Sequence, residues 1–235
     1  MEEKELVALD FDHTIIDANS DTYVAKLAPG GVIPEDIEAL HKPDGWTKYM
    51  QQVFLFLYQN KVQPQNVLDC LSEISFTPGM RELLLLLSSF KRFEIIIISD
   101  SNSMFIDHIL KVGQVAHTVS EVFTNPAYFD QFGRLHVKEF HVQDMCTLSS
   151  KNLCKGEILQ SYIKKRSSEG TQFCRTAFIG DGNHDFCPCL QLSVNDLIFP
   201  RIGFSLCKKL SRNPEMIKAK IYPWESGFDI KDVLL

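Results

Sequence analysis

No run in the 235-residue chain approaches the roughly 20 apolar residues needed to cross a bilayer; the longest are Leu83 to Leu87 and Ile95 to Ile98. A membrane-spanning helix is therefore not expected. Basic charge is also short, since 24 Lys+Arg against 30 Asp+Glu leave a formal net charge of −6. Proteins that grip nucleic-acid phosphates usually present a basic face, so a nucleic-acid partner is not expected either. The first residues, Met1-Glu2-Glu3-Lys4-Glu5, hold no apolar core of a secretion signal. The 7 cysteines are odd in number, and without a signal they read as reduced thiols in a cytoplasmic protein. Repeats and low-complexity tracts are missing too. What remains is 45% apolar, 23% charged and 11% aromatic, the balance of a globular domain. A chain of this length buries about 70% of its unfolded surface and needs no staple to fold.

The order of elements predicts an α/β protein. Leu6 to Leu9 reads as a short buried strand that stops at an acidic cluster, Asp10-Phe11-Asp12. From about Ala18 to Ser75 the pattern is helical, with breaks at Pro29-Gly30-Gly31 and Pro43-Asp44-Gly45. Thr77-Pro78-Gly79 then opens a helix over Met80 to Phe90, with Thr77 as N-cap and Pro78 in the first turn. Glu94 to Ile98 is a second buried strand ending at Ser99-Asp100-Ser101-Asn102, and a helix follows over Met104 to Val112. Further strands are expected at Val119 to Phe123, Arg175 to Ile179, Asp196 to Phe199 and Ala219 to Pro223. A hairpin over 127–138 turns near Asp130 to Gly133, and Lys155 to Lys165 reads as a helix. Strands alternating with helices predict a doubly wound, mostly parallel sheet. The first strand-to-helix connection is too long for a simple crossover. Residues 1–17 and 76–235 are therefore expected to form the core, and 18–75 an inserted helical cap.

Polar clusters fall at the carboxyl ends of the predicted strands, where open α/β sheets bind ligands. In extended chain Asp10 and Asp12 face the same side, and two carboxylates held so close repel unless a cation or a proton separates them. Such oxygen-rich sites suit Mg²⁺. An aspartate can attack phosphorus, and a neighbour two residues on can move the protons; the plainer reading is two solvated acids at a strand end. Gly180-Asp181-Gly182-Asn183-His184-Asp185 follows another apolar run. It reads as a second acidic metal site or as a glycine turn with a capped helix. Ser99 ends a strand, where its hydroxyl and the following amides can hold phosphoryl oxygens or merely make a turn. Lys155 begins a helix, a mildly unfavourable place for a cation, which suggests a counter-ion role; taken alone, the plainer reading is a solvated lysine.

Taken together and in this order, Asp10-Phe11-Asp12-His13-Thr14, Ser99, Lys155 and Gly180 to Asp185 resemble the four motifs of the haloacid-dehalogenase-like phosphatases. The second aspartate of the first motif resembles the phosphatases rather than the dehalogenases. The longer strings Asp10 to Asp21, Phe76 to Met80, Ile98 to Asn102, Phe123 to Pro126, Asn152 to Lys155 and Phe199 to Phe204 are similar to the phosphoethanolamine/phosphocholine phosphatase branch. Ser101-Asn102-Ser103 and the Phe123 string tilt it toward that branch's pyridoxal 5′-phosphate phosphatases. The resemblance implies a Rossmann-like core and a Mg²⁺-dependent hydrolysis of small phosphate monoesters through an aspartyl phosphate. Asp10 would be the nucleophile and a metal ligand. Asp12 would be the general acid/base, binding the metal through its carbonyl. Asp181 would complete the metal site with Asp185 in support. Ser99 and Lys155 would hold the phosphoryl group, beside Gly182 and Asn183. Asp21 and Asp100 match leaving-group positions, where two anions would favour an amine or a protonated ring nitrogen; otherwise Asp21 is a helix cap and Asp100 an exposed turn acid.

Two features depart from the branch. The stretch 141–154 keeps only His141, Cys146 and Cys154, with no close pair. That is too few for a structural zinc site, while Cys187-Pro188-Cys189, with His184 adjacent, reads as buried or partly exposed thiols, the alternatives being a second metal or a redox switch. His13 replaces a smaller residue and is expected to pack against the cap. Rival readings are hydrolysis of phosphoethanolamine, phosphocholine or pyrophosphate, and a catalytically silent binding protein on the same fold. The retention of both Asp10 and Asp12 speaks against the last. The oligomeric state is left open.

Overall fold

The computed structural model describes residues 4–42 and 45–235. Met1 to Glu3 and the break at Pro43 and Asp44 lie outside the described residues. Strand β1 (Lys4–Leu9) is followed by helices α1 (Ser20–Ala25), α2 (Glu35–Glu38), α3 (Trp46–Gln59), α4 (Pro64–Ser72) and α5 (Met80–Ser88). Next come β2 (Phe93–Asn102), α6 (Ser103–Val112), β3 (Glu121–Asn125) and a hairpin of β4 (Ala127–Phe129) and β5 (Leu135–Val137). The chain closes with α7 (Lys155–Ser168), β6 (Phe173–Gly180), α8 (Phe186–Cys189), β7 (Leu197–Pro200), α9 (Ser205–Arg212), β8 (Lys220–Ile221) and α10 (Gly227–Leu234). Among the described residues, no helix is long and apolar enough to cross a membrane.

Six strands form one sheet in the order β3-β2-β1-β6-β7-β8, and every pairing in it is parallel. Sequence order reverses between β1 and β6, which makes their carboxyl ends the switch point of a doubly wound sheet. Strand alternation divides the core into two layers. Val7, Leu9, Ile95, Ile97, Ala177 and Ile179 point to one face, while Leu6, Ala8, Ile96, Ile98 and Phe178 point to the other. All of these are buried, as expected for central strands covered by helices on both sides. The first layer packs against α5, α6 and α10, and the second against α7, α8 and α9.

The described residues of 18–75 hold four α-helices and no strand of the six-stranded sheet. Their apolar side chains, including Val53, Phe54 and Leu57, belong to the same cluster as the first sheet face. Phe54 meets Phe105 of α6 edge-on with ring centroids 5.7 Å apart.

Three local expectations are corrected. Thr77 is not a helix cap. Gly79 takes that position at φ 75°, a left-handed conformation that glycine reaches without strain, and among the described residues the Thr77 hydroxyl has no hydrogen-bond partner. Pro78 therefore lies before α5, outside its first turn. The second strand continues to Asn102, so Ser99 and Asp100 stand on the strand itself rather than in a turn beyond it. Parallel pairing of Asn102 with Asn125 of β3 carries it there after a register shift.

Candidate active site

The carboxyl ends of β1, β2 and β6 and the start of α7 enclose a cavity of about 440 Å³. Asp10, Asp12, Ser99, Asp100, Lys155 and Asp181 all line it. So do Asp21, Gly182, Asn183 and Asp185, and every residue to which the resemblance gave a catalytic, metal or substrate role thus faces one space. The placement follows from the topology. Asp10 is the next residue after β1, and its N–H still bonds the Ile179 carbonyl of β6 at 2.9 Å. Asp181 follows β6 directly.

Lys155 is fully buried and bridges Asp10 at 2.5 Å and Asp185 at 2.8 Å. Burial alone would strip its proton, but the surrounding aspartates outweigh that and hold the ammonium charged well above the usual lysine range. Asp185 is saturated: one oxygen takes Lys155, and the other accepts the N–H groups of Asp181 and Gly182 at 2.9 and 2.8 Å. A Cβ on Gly180 would lie 2.5 Å from that second oxygen, so this glycine is required for Asp185 to brace the loop.

The remaining acids are under-compensated. Among the described residues, the Asp181 carboxylate accepts a single long hydrogen bond, from Thr14 Oγ1 at 3.4 Å. Burial, reinforced by Asp10 and Asp185, pushes it up to about 8. Burial pushes Asp10 up to about 7 against the pull of Lys155. Asp12 is raised well above the usual carboxylate range by burial and by Asp21, and its Oδ1 accepts the Ser20 N–H at 3.0 Å. Carboxylate oxygens of Asp10, Asp181 and Asp185 lie within 4.8 Å of one another. At an effective dielectric of about 20, two like charges about 4 Å apart repel by about 4 kcal/mol. One lysine neutralises one charge, so the site has room for a divalent cation in both charge and donor type. Hard oxygen donors on a buried, poorly hydrogen-bonded carboxylate fit Mg²⁺.

Toward the mouth, Asp21 accepts Trp46 Nε1 at 2.8 Å and Asn102 Nδ2 at 3.3 Å, and burial raises it to about 6. It is no helix cap; Asn19 caps α1 instead, accepting the Thr22 N–H. Asp100 is no exposed acid. Burial raises it, but the hydrogen bond to His184 at 3.0 Å and the Lys155 charge prevail and hold it below the usual range. Ser99 Oγ accepts the Ser101 N–H at 3.2 Å.

Other residues at the cavity were not assigned from the sequence. Trp46, His41 and Asn152 line it, and Asn152 Nδ2 donates to Asp100 at 3.3 Å. Only Asn152 was visible as a signal, inside its motif string. Arg201 clamps the loop after β1, donating to the His13 carbonyl and to Asp17, each at 2.6 Å. His13 itself sits at φ 55° and packs on Phe204 with centroids 5.4 Å apart. That partner follows β7 and is not in the helical segment as expected. Cys187 lies against Cys146 and Cys154 at 3.4 and 3.8 Å, a meeting that local spacing did not show.

The family described as Putative Phosphatase matches residues 5–235. The chain is 41% identical to the pyridoxal phosphate phosphatase PHOSPHO2 of Mus musculus, over 97% of this chain and 95% of the relative. It is 32% identical to the phosphoethanolamine/phosphocholine phosphatase of Homo sapiens, over 96% and 86%. Among solved structures, a phospho-aspartyl intermediate analogue of phosphoserine phosphatase superposes with a TM-score of 0.64 at 17% identity, covering 99% of this chain and 98% of that one.

Proposed function

The chain belongs to the Putative Phosphatase family and is a phosphoric monoester hydrolase, and from that premise we propose that it cleaves small phosphorylated metabolites, pyridoxal 5′-phosphate first among them, through an aspartyl phosphate. The observation that carries this is the meeting of Asp10, Asp12, Asp181 and the buried Lys155 at the switch point of the sheet. Asp10 and Asp181 with the Asp12 carbonyl would hold Mg²⁺, with Asp185 bracing Asp181. When bound, the ion supplies charge that lets an anionic phosphate approach an anionic nucleophile.

The chain's own groups do the rest. Lys155 and Ser99 bind the equatorial oxygens of the phosphoryl group, beside the loop of Gly182 and Asn183. The Asp10 carboxylate attacks phosphorus in line, the bond to the leaving oxygen breaks, and Asp12 gives that oxygen its proton. Asp12 then takes a proton from water, whose oxygen attacks the phosphorus and releases Asp10. Asp12 suits both roles because its side chain is held by Ser20 and not by Lys155. Residues 18–75 act as a cap that excludes bulk water and reads the leaving group through Asp21 and Trp46. The pyridoxal assignment is supported by the relative at 41% identity and by an aromatic and acidic mouth suited to a protonated pyridine. Asp10→Asn tests the mechanism: turnover of small phosphate esters is expected to vanish with the circular dichroism unchanged. Wild-type turnover would overturn it. A phosphate-release panel with pyridoxal 5′-phosphate, phosphoethanolamine, phosphocholine and pyrophosphate ranks the substrates, and a higher kcat/KM for phosphocholine would overturn the pyridoxal assignment.

A further inference from the structure

Three thiols from separate parts of the chain meet just outside the cavity. Cys146 lies in the loop between β5 and α7, Cys154 immediately precedes α7, and Cys187 belongs to α8. Cys187 Sγ is 3.4 Å from Cys146 Sγ and 3.8 Å from Cys154 Sγ, and all three sulfurs lie within 4.8 Å of one another. Ser149 Oγ stands 3.5 Å from Cys146 Sγ. Cys154 and Cys187 are buried and Cys146 is half-buried. We propose that Cys146, Cys154 and Cys187 form a structural zinc site, with the Ser149 hydroxyl or a water as fourth ligand, that ties the 138–154 loop to the starts of α7 and α8.

The spacing favours one shared centre over a disulfide. Tetrahedral zinc with Zn–S bonds of about 2.3 Å sets sulfur–sulfur edges of about 3.8 Å. A disulfide would use two of the three sulfurs and require them at about 2.05 Å, leaving the third thiol buried beside it. Cys187 instead touches both others at similar distances. Binding is balanced without any redox step: each thiol gives its proton to the buffer as its sulfur takes the ion.

The surroundings need such a tie. From 138 to 154 the chain has no helix and no strand of either sheet. Leu153 and Leu148 pack on the core at its far end, but the middle of the loop is not held by apolar contacts, with Val142 74% and Met145 91% exposed. Unstructured connections of this length are uncommon in compact domains unless something holds them. At the other end, a Cβ on Gly156 would lie 2.6 Å from Cys187 Sγ. The glycine therefore lets that sulfur sit against the first turn of α7. The consequence reaches the active site. Cys154 adjoins Lys155 and Cys187 is two residues from Asp185, so the ion would fix the two backbones that carry the 2.8 Å Lys155–Asp185 pair.

The full chain, purified under reducing conditions without chelators, is expected to hold about one zinc per chain by elemental mass spectrometry, as a structural site does. Exchange with Co²⁺ should give the intense visible absorption and sulfur charge-transfer bands of tetrahedral thiolate coordination. Cys187→Ser should lose the zinc, whereas Asp181→Asn should retain it, which separates this site from the acidic one. Ser149→Cys, supplying a fourth sulfur, should tighten zinc at least about tenfold in chelator competition, in keeping with the thiolate preference of the ion. Protein that takes up no zinc and shows no thiolate–cobalt spectrum overturns the proposal. So does a Cys187→Ser variant with full zinc, or a disulfide between any two of the three under reducing conditions. The cobalt spectrum of the wild-type chain decides the matter even if a cysteine variant fails to fold.

Discussion

Asp12 differs from Asp10 in what holds it. Asp10 is bound by Lys155, whereas the Asp12 carboxylate accepts the Ser20 N–H and sits beside Asp21. Burial and Asp21 raise its pKa well above the usual carboxylate range, the direction that the proposed acid role calls for. Asp12→Asn is therefore expected to lower kcat for alkyl phosphates by about 10²–10⁴-fold, the usual contribution of general acid–base catalysis. The loss for an aryl phosphate such as p-nitrophenyl phosphate should be smaller in the first step, because that leaving group needs no proton; a burst of p-nitrophenol would show it. A second residue tests the scaffold. Glu94 on β2 is buried and accepts Tyr162 Oη at 2.7 Å and Arg166 Nε at 2.7 Å. Burial raises its pKa, but the Arg166 hydrogen bonds prevail and the folded value lies below the ordinary 4.5. A depressed folded pKa stabilises at pH above the unfolded value, and that contribution is lost as pH falls through the folded one. Glu94→Gln should thus cost about 1–3 kcal/mol at neutral pH by leaving its partners unmatched, and should flatten the stability loss below pH 4.5. Urea unfolding across pH measures both.

At the scale of elements, α3 carries the test of the proposed selectivity. Its first residue, Trp46, reaches the cavity and donates to Asp21, and it clusters with His41 and Tyr49 at centroid distances of 5.1 and 5.5 Å. Trp46→Ala is expected to raise KM for pyridoxal 5′-phosphate about tenfold, about 1.4 kcal/mol. KM for phosphoethanolamine, which has no ring to stack, should move little. Equal rises for both substrates would show that Trp46 acts only by holding Asp21. The helical segment gave a legible pattern, because apolar residues recur along α3 every three or four positions. Its reach into the cavity was not legible, because a tryptophan at a helix start carries no mark of what it faces. The cap expected at Thr77 failed for a related reason. Serine- and threonine-type capping is a local preference, and Gly79 displaced it where α10 packs so closely that a Cβ there would lie 2.8 Å from the Phe228 ring.

For the whole molecule, the acidic balance becomes a statement about the cation. Asp10, Asp12, Asp100, Asp181 and Asp185 share one cavity with Lys155, and a phosphate entering without a metal would meet mostly like charge. Activity is expected to disappear in EDTA and to return with Mg²⁺. Added Mg²⁺ should also stabilise the fold, by about 2.7 kcal/mol at about 100 times its Kd. Differential scanning calorimetry would register this as a rise of about 5–10 °C in Tm for a chain of this size. No shift with Mg²⁺ and full activity in EDTA would remove the metal from the reading.

What could be read along the chain was what repeats or clusters locally. The continuous apolar runs Leu6 to Leu9 and Ile95 to Ile98 announced central strands buried on both faces, and acids placed directly after such strands announced the sheet edge where Asp10 and Asp181 stand. Those signals depend on backbone period and on short spacing, which the folded chain does not alter. The convergence of Trp46 with Asp21, of Arg201 with His13, and of Cys187 with Cys146 and Cys154 arose only on folding. These partners lie between 25 and 188 residues apart, and their meeting depends on which strands pair and which loops close over them. Spacing within a segment carries no trace of that, because contacts between distant residues follow from the packing of whole elements.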